Sequence, residues 1–212
     1  MGVEIVSTPI LTPVPRDASA ARQSEPVSGD TTRPAAELAA VDAAFAQFLA
    51  AIAALSDDDV RAPSLLPGWT RAHVLSHVAR SGEADARTVD GAVRGEVLDK
   101  YPGGDEQRTR DIDAGVHRGA DALRADVVAT QAGLTDAWAR VQDGMWERET
   151  RTPVGPRSVA GTVHARRREI LVHLVDLDVG VSAGALPPDY VAADLDWLQR
   201  FRTRETWDDA HW

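Results

Sequence analysis

Apolar residues recur along this chain at intervals of three and four, interrupted by short runs of proline, glycine and serine. That period puts one side chain per turn on a common face and predicts amphipathic helices. A first helix is expected in "PAAELAAVDAAFAQFLAAIAAL", followed by the acidic "SDDD", which reads as a helix end or loop. "SLLPGWT" reads as a loop punctuated by Pro67 and Gly68, with Thr70 as the N-cap of a second helix. After a break at "KYPGGDEQ", a third helical pattern runs from about Arg108 through "LRADVVATQAGLTDAWARV". "RETRTPVGPRSV" reads as another loop, a fourth helix follows in "GTVHARRREILVHLVDLDVG", and a short fifth in "PDYVAADLDWLQRF". No alternating strand run competes and no repeat is present. The pattern predicts an all-α protein, a bundle of four longer helices with a short fifth helix.

Residues 1–32 are rich in Pro, Ser, Thr and Ala without a sustained period. They hold too little apolar surface to offset their ordering entropy and are expected to form a disordered N-terminal leader. The bundle is expected over residues 33–203, with a C-terminal tail over 204–212. A chain of 212 residues supplies one core of ordinary size. The formal charge of -10 argues against a nucleic-acid partner, which needs a basic face. No run of about 18 apolar residues is read as a membrane span, and the N-terminus lacks signal-peptide features. The expectation is a cytoplasmic protein acting on a small molecule, with no membrane or nucleic-acid partner and with a homodimer allowed. Cysteine is absent, so any thiol chemistry must use a thiol from outside.

Candidate chemistry lies on the second and fourth helices. At about 100° per residue, Glu169, His173 and Asp176 fall on one stripe of the fourth helix, while Ile170, Leu171, Val172, Leu174, Val175, Leu177 and Val179 cover most of the remaining circumference. A buried carboxylate costs several kcal/mol unless it is paired or bound to a metal. On the second helix, "GWTRAHVLSHVAR" places His77 at the edge of the apolar face made by Val74, Leu75, Val78 and Ala79, whereas His73 lies further round. His77 is therefore the expected ligand and His73 is not. One histidine from one helix with an ExxxH pair from another is a donor set that leaves a fourth zinc position open. On the residues alone, a polar core network competes with this metal site. His117 and His164 read as ordinary surface or loop histidines, and Trp69, Trp138 and Trp146 as packing residues. The arginines flanking the histidine helix read as solvating its ends.

"SLLPGWTRAHVLSHVAR" followed by "RRREILVHLVDL" resembles the mycothiol-dependent maleylpyruvate isomerases of the DinB-like superfamily, over about Pro34 to Arg200. The resemblance implies a DinB-like four-helix bundle. It also implies that zinc, or another divalent metal, is held by His77, Glu169 and His173, the three positions that helical geometry selects. It implies an active-site role for Arg108 in "RTRDI", whose guanidinium suits a dicarboxylate substrate, although Arg108 read alone equally solvates a helix start. Asp176 resembles a position that orients a ligand histidine. Mycothiol would be the thiol cosubstrate, with cis–trans isomerisation by reversible thiolate addition to a double bond. Family isomerases carry a smaller α/β domain after the bundle, and this chain is expected to lack it. The bundle and metal site therefore carry over more directly than the isomerase activity. A mycothiol S-transferase and a non-catalytic metal- or ligand-binding module are the alternatives.

Overall fold

The computed structural model describes residues 32–202. The leader expected over residues 1–32 and the tail expected over 204–212 lie outside the described residues, Thr32 excepted. The elements run in the order α1 (Ala35–Ile52), α2 (Asp57–Arg61), α3 (Arg71–Val93), α4 (Gly104–Gly115), α5 (Ala120–Ala139), β1 (Glu149–Thr152), β2 (Gly155–Ser158), α6 (Val159–Asp176) and α7 (Pro188–Arg202). The long helices α1, α3, α5 and α6 are the four expected from the apolar spacing. Helix α3 is central, packed on α5, α4 and α6, while α1 lies against α6. Phe48 and Ile52 of α1, Leu75 and Val78 of α3, Leu123 and Leu134 of α5, and Ile170 and Leu171 of α6 share one buried cluster. Its apolar area is what makes the helices hold one another.

The structure departs from the sequence reading in five places, each with a physical reason. The acidic run is a helix start: Ser56 caps α2 in a reciprocal box with Asp59. Asp57 also accepts the Ala120 backbone N–H at 2.8 Å, so α2 caps α5 as well. The third pattern is two helices, because the chain turns between Gly115 and Gly119. The loop before α6 contains an antiparallel hairpin, β1–β2, with Glu149 opposite Ser158. Buried Thr150 anchors it by donating its hydroxyl to the Arg157 carbonyl at 2.9 Å.

The other two departures concern α1 and α6. Helix α1 has a mean hydropathy of 1.5 over 18 residues, enough by length and composition to cross a bilayer, where no such run was expected. Much of that apolarity is alanine; Val41, Ala44, Phe48 and Ile52 face the core, and Glu37 and Asp42 lie on the exposed side. Helix α6 is not buried all round: Val172 is 38% exposed, so its polar stripe borders an open flank.

Helix α4 approaches α3 closely because Gly115 has no side chain. A Cβ there would stand 2.2 Å from Ser76 Oγ, which donates to the Ile112 carbonyl at 2.8 Å. Gly115→Ala must therefore push α4 outward, and overpacking of this kind costs about 1–3 kcal/mol. The expected result is a lower thermal midpoint by circular dichroism. Because α4 carries Arg108, the same variant should show weakened binding of carboxylate ligands.

Candidate metal centre

The segment before α3 and the end of α6 are fastened together, and this fixes the histidines. Leu65 N–H donates to the Asp176 carbonyl at 2.8 Å. Arg71 Nε donates to the Leu177 carbonyl at 2.6 Å and Nη2 to the Asp178 carbonyl at 2.8 Å. These are carbonyls that a helix C-terminus leaves without intrahelical partners. Arg71 thus locks α3 to α6 rather than merely solvating its own helix end.

His73 and His77, one turn apart, do different things. His73 Nδ1 accepts from the Thr70 backbone N–H at 3.2 Å and lies 2.7 Å from the Thr70 hydroxyl, so it completes the cap of α3. Its remaining nitrogen lies 4.0 Å from the exposed Asp113. His77 is 6% exposed and turns inward. Its Nε2 lies 2.6 Å from Glu169 Oε1. From α6, His173 Nε2 lies 3.6 Å from the same oxygen. The two imidazole rings meet edge to face, with centroids 4.7 Å apart.

The electrostatics follow from this convergence. Burial lowers the pKa of His77 against the opposing pull of Glu169. Burial also works against charging His173, but its hydrogen bonds to Asp176 and Glu169 prevail and raise it to about 9. Burial would raise Glu169; the His77 charge and the bonds to both histidines outweigh it and hold the carboxyl well below its usual range. The donor atoms of His77, Glu169 and His173 all lie within 4.8 Å of one another. Two imidazoles and one carboxylate are a zinc donor set that keeps a fourth position open. Asp176 lies 2.8 Å from His173 Nδ1, on the ring nitrogen facing away from Glu169, which fixes the ring and its tautomer. The residues therefore fit a divalent metal.

Arg108 is not at a helix start. It stands inside α4, with Nη2 3.3 Å from His77 Nδ1 and its guanidinium carbon 5.7 Å from the Tyr101 ring centroid. Trp69 is more than packing: its ring stacks on His73 at 5.9 Å and meets His77 edge-on at 5.6 Å, forming one wall of the site. Sequence reasoning missed that role, although "GW" immediately before the histidine helix was its signal. Trp138 and Trp146 are buried packing residues and His117 is exposed, as expected. His164, expected at the surface or in a loop, lies half-buried within α6.

Replacing Asp176 by Asn should keep the fold while weakening the hold on His173. A carboxylate behind a ligand histidine is worth roughly 10–100-fold in metal affinity. Zinc titration of the two proteins measures it; equal affinity would show that Asp176 does not tune a metal ligand.

Two crystal structures of the mycothiol-dependent maleylpyruvate isomerase are similar to this chain. One shares 27% identity at a TM-score of 0.72, over 78% of this chain and 71% of that one. The other, a histidine-to-alanine mutant, shares 26% at the same TM-score and coverage. No curated protein matches the chain. The model of the mycothiol maleylpyruvate isomerase N-terminal domain matches residues 41–178, a span that contains every residue of the candidate centre. The chain belongs to the family of the mycothiol maleylpyruvate isomerase N-terminal domain.

Proposed function

We propose that the protein is a cytoplasmic, zinc-dependent enzyme that uses mycothiol as a cosubstrate and isomerises a cis-unsaturated carboxylate by reversible thiol addition. The observation that carries the reading is the convergence of His77, Glu169 and His173 from two helices, with Asp176 behind His173. Family membership and the similarity to the mycothiol-dependent isomerase structures supply the thiol and the reaction class. A zinc ion held by two neutral imidazoles and one carboxylate retains positive charge and lowers the pKa of a bound thiol. With no cysteine in the chain, that thiol comes from outside.

The chain's own residues do the rest. His77 and His173 present Nε2 toward one carboxylate oxygen, and Asp176 holds His173 in that orientation. Arg108 stands beside His77 and offers a planar guanidinium to a substrate carboxylate. Trp69 stands against both histidines and walls that side of the site. The test is metal analysis followed by turnover of maleylpyruvate with and without mycothiol. The expected result is one zinc per chain and trans product only when mycothiol is present. A stable thiol conjugate as product would instead make the protein an S-transferase. Zinc binding without turnover of any electrophile would make it a binding module.

A further inference from the structure

Next to the triad lies a group of buried charges that the metal centre leaves unused. Helix α3 carries a polar stripe, His77, Ser81, Asp85 and Thr88, whose members are all at most 6% exposed. Lys100, the chain's one lysine, reaches this stripe from the segment between α3 and α4. Its Nζ lies 2.8 Å from Asp85 Oδ1 and donates to Ser81 Oγ at 3.2 Å. An ammonium has three protons, and these two contacts take two of them. The segment is held in place: Lys100 N–H donates to the Arg151 carbonyl at 3.0 Å, and Arg87 Nη2 donates to the Lys100 carbonyl at 2.8 Å.

From α6, Arg166 enters the same interior. It is 0% exposed; Nε donates to Gln131 Oε1 at 2.8 Å and Nη1 to the Val78 carbonyl at 2.9 Å, while Nη2 has no hydrogen-bond partner among the described residues. Gly82, beside Ser81 on α3, leaves room for the guanidinium, since a Cβ there would stand 3.1 Å from Nη2. The Tyr101 ring centroid lies 5.7 Å from Lys100 Nζ and 5.7 Å from the Arg108 guanidinium carbon. Tyr101 thus links Lys100 to the arginine that touches His77. Lys100 is matched by Asp85, Glu169 by the two histidines and Asp176 by His173, so among the described residues the buried Arg166 has no carboxylate of its own. An unmatched interior charge is costly, and a bound anion relieves it.

We propose that Lys100 and Tyr101 form a carboxylate subsite beside the triad, separate from Arg108, with Arg166 supplying the unmatched positive charge beneath it. This rests on the metal-centre reading for the position of the reacting carbons, but not for anion binding itself. A substrate with two carboxylates would span Arg108 and Lys100, which sets its direction across the centre. Lys100 is then a specificity-determining residue, and Asp85 and Ser81 position it.

Calorimetric titration with maleate and with crotonate, on zinc-loaded and metal-free protein, tests the proposal. Maleate carries two carboxylates and crotonate one. Maleate should bind wild-type protein at least tenfold more tightly than crotonate, with or without zinc. The double variant Asp85→Asn/Lys100→Gln removes the cation without stranding its partner charge. It should lose that tenfold advantage while its crotonate affinity and zinc content stay within about twofold of wild type. Lys100→Arg should retain most of the maleate preference. Equal affinities for the two acids in wild-type protein would overturn the subsite even if no variant folded, as would an unchanged preference in the double variant. Absence of zinc binding or of mycothiol-dependent turnover, with the maleate preference intact, would overturn only the proposed function.

Discussion

His77→Ala is expected to abolish tight zinc binding, while His73→Ala leaves one zinc per chain. The two histidines sit a turn apart, but only His77 Nε2 reaches the Glu169 oxygen that His173 shares. Losing one of three protein ligands should cost well beyond the roughly 10–100-fold that an outer partner contributes. His73 is committed to the Thr70 cap. Its loss should cost about 0.5–1.5 kcal/mol, the net worth of a hydrogen bond, with no change in metal content. Equal loss of zinc in both variants would contradict the assignment. Zinc titration and thermal melts on the three proteins separate the two effects.

Glu169→Gln is expected to weaken zinc binding strongly and to eliminate mycothiol-dependent turnover. The amide keeps the shape but removes the charge facing both imidazoles, and that charge is part of the donor set. The stability change has a definite sign. A buried carboxylate without partners would be relieved by this substitution and the variant would melt higher. Here Glu169 is paired with two histidines and, together with Asp176, keeps His173 charged in the metal-free protein. The metal-free variant should therefore melt lower, by about 1–3 kcal/mol, the cost of stranding a buried polar partner. A variant that melts higher with metal content and turnover unchanged would defeat the reading.

Much of this site was legible because its residues lie on helices whose period is known. Glu169, His173 and Asp176 share a stripe by arithmetic alone, and His77 stands at the edge of an apolar face. What arithmetic could not supply is which neighbour completes a contact. Lys100 lies in "LDKYPGG", a loop by every local signal, and its partners Asp85 and Ser81 are 15 and 19 residues away. Arg166 is the first of three successive arginines, a run whose partners the local spacing does not name. Its successors turn toward α7, where Arg167 meets Asp189 at 2.8 Å and Arg168 pairs with Asp194. Arg166 points the opposite way, three residues before Glu169. The spacing to Glu169 was its one available signal.

The same limit governed the fold. Apolar spacing identified the four long helices, because each buries a stripe against another. The break between α4 and α5 depends on the close approach of Gly115 to Ser76 and on Asp57 capping Ala120 from α2, both tertiary contacts. The hairpin depends on Thr150 being buried and on Gly155 taking a φ of 120°, which favours glycine. Neither leaves a periodic trace in the sequence.

The most direct test of the central claim is an anomalous difference map from crystals grown with zinc, collected at the zinc absorption edge. Zinc held by the three residues should give one strong peak among His77 Nε2, Glu169 Oε1 and His173 Nε2, with Asp176 still on His173 Nδ1. A map without a peak there, with His77 remaining in direct contact with Glu169 at saturating zinc, would contradict it.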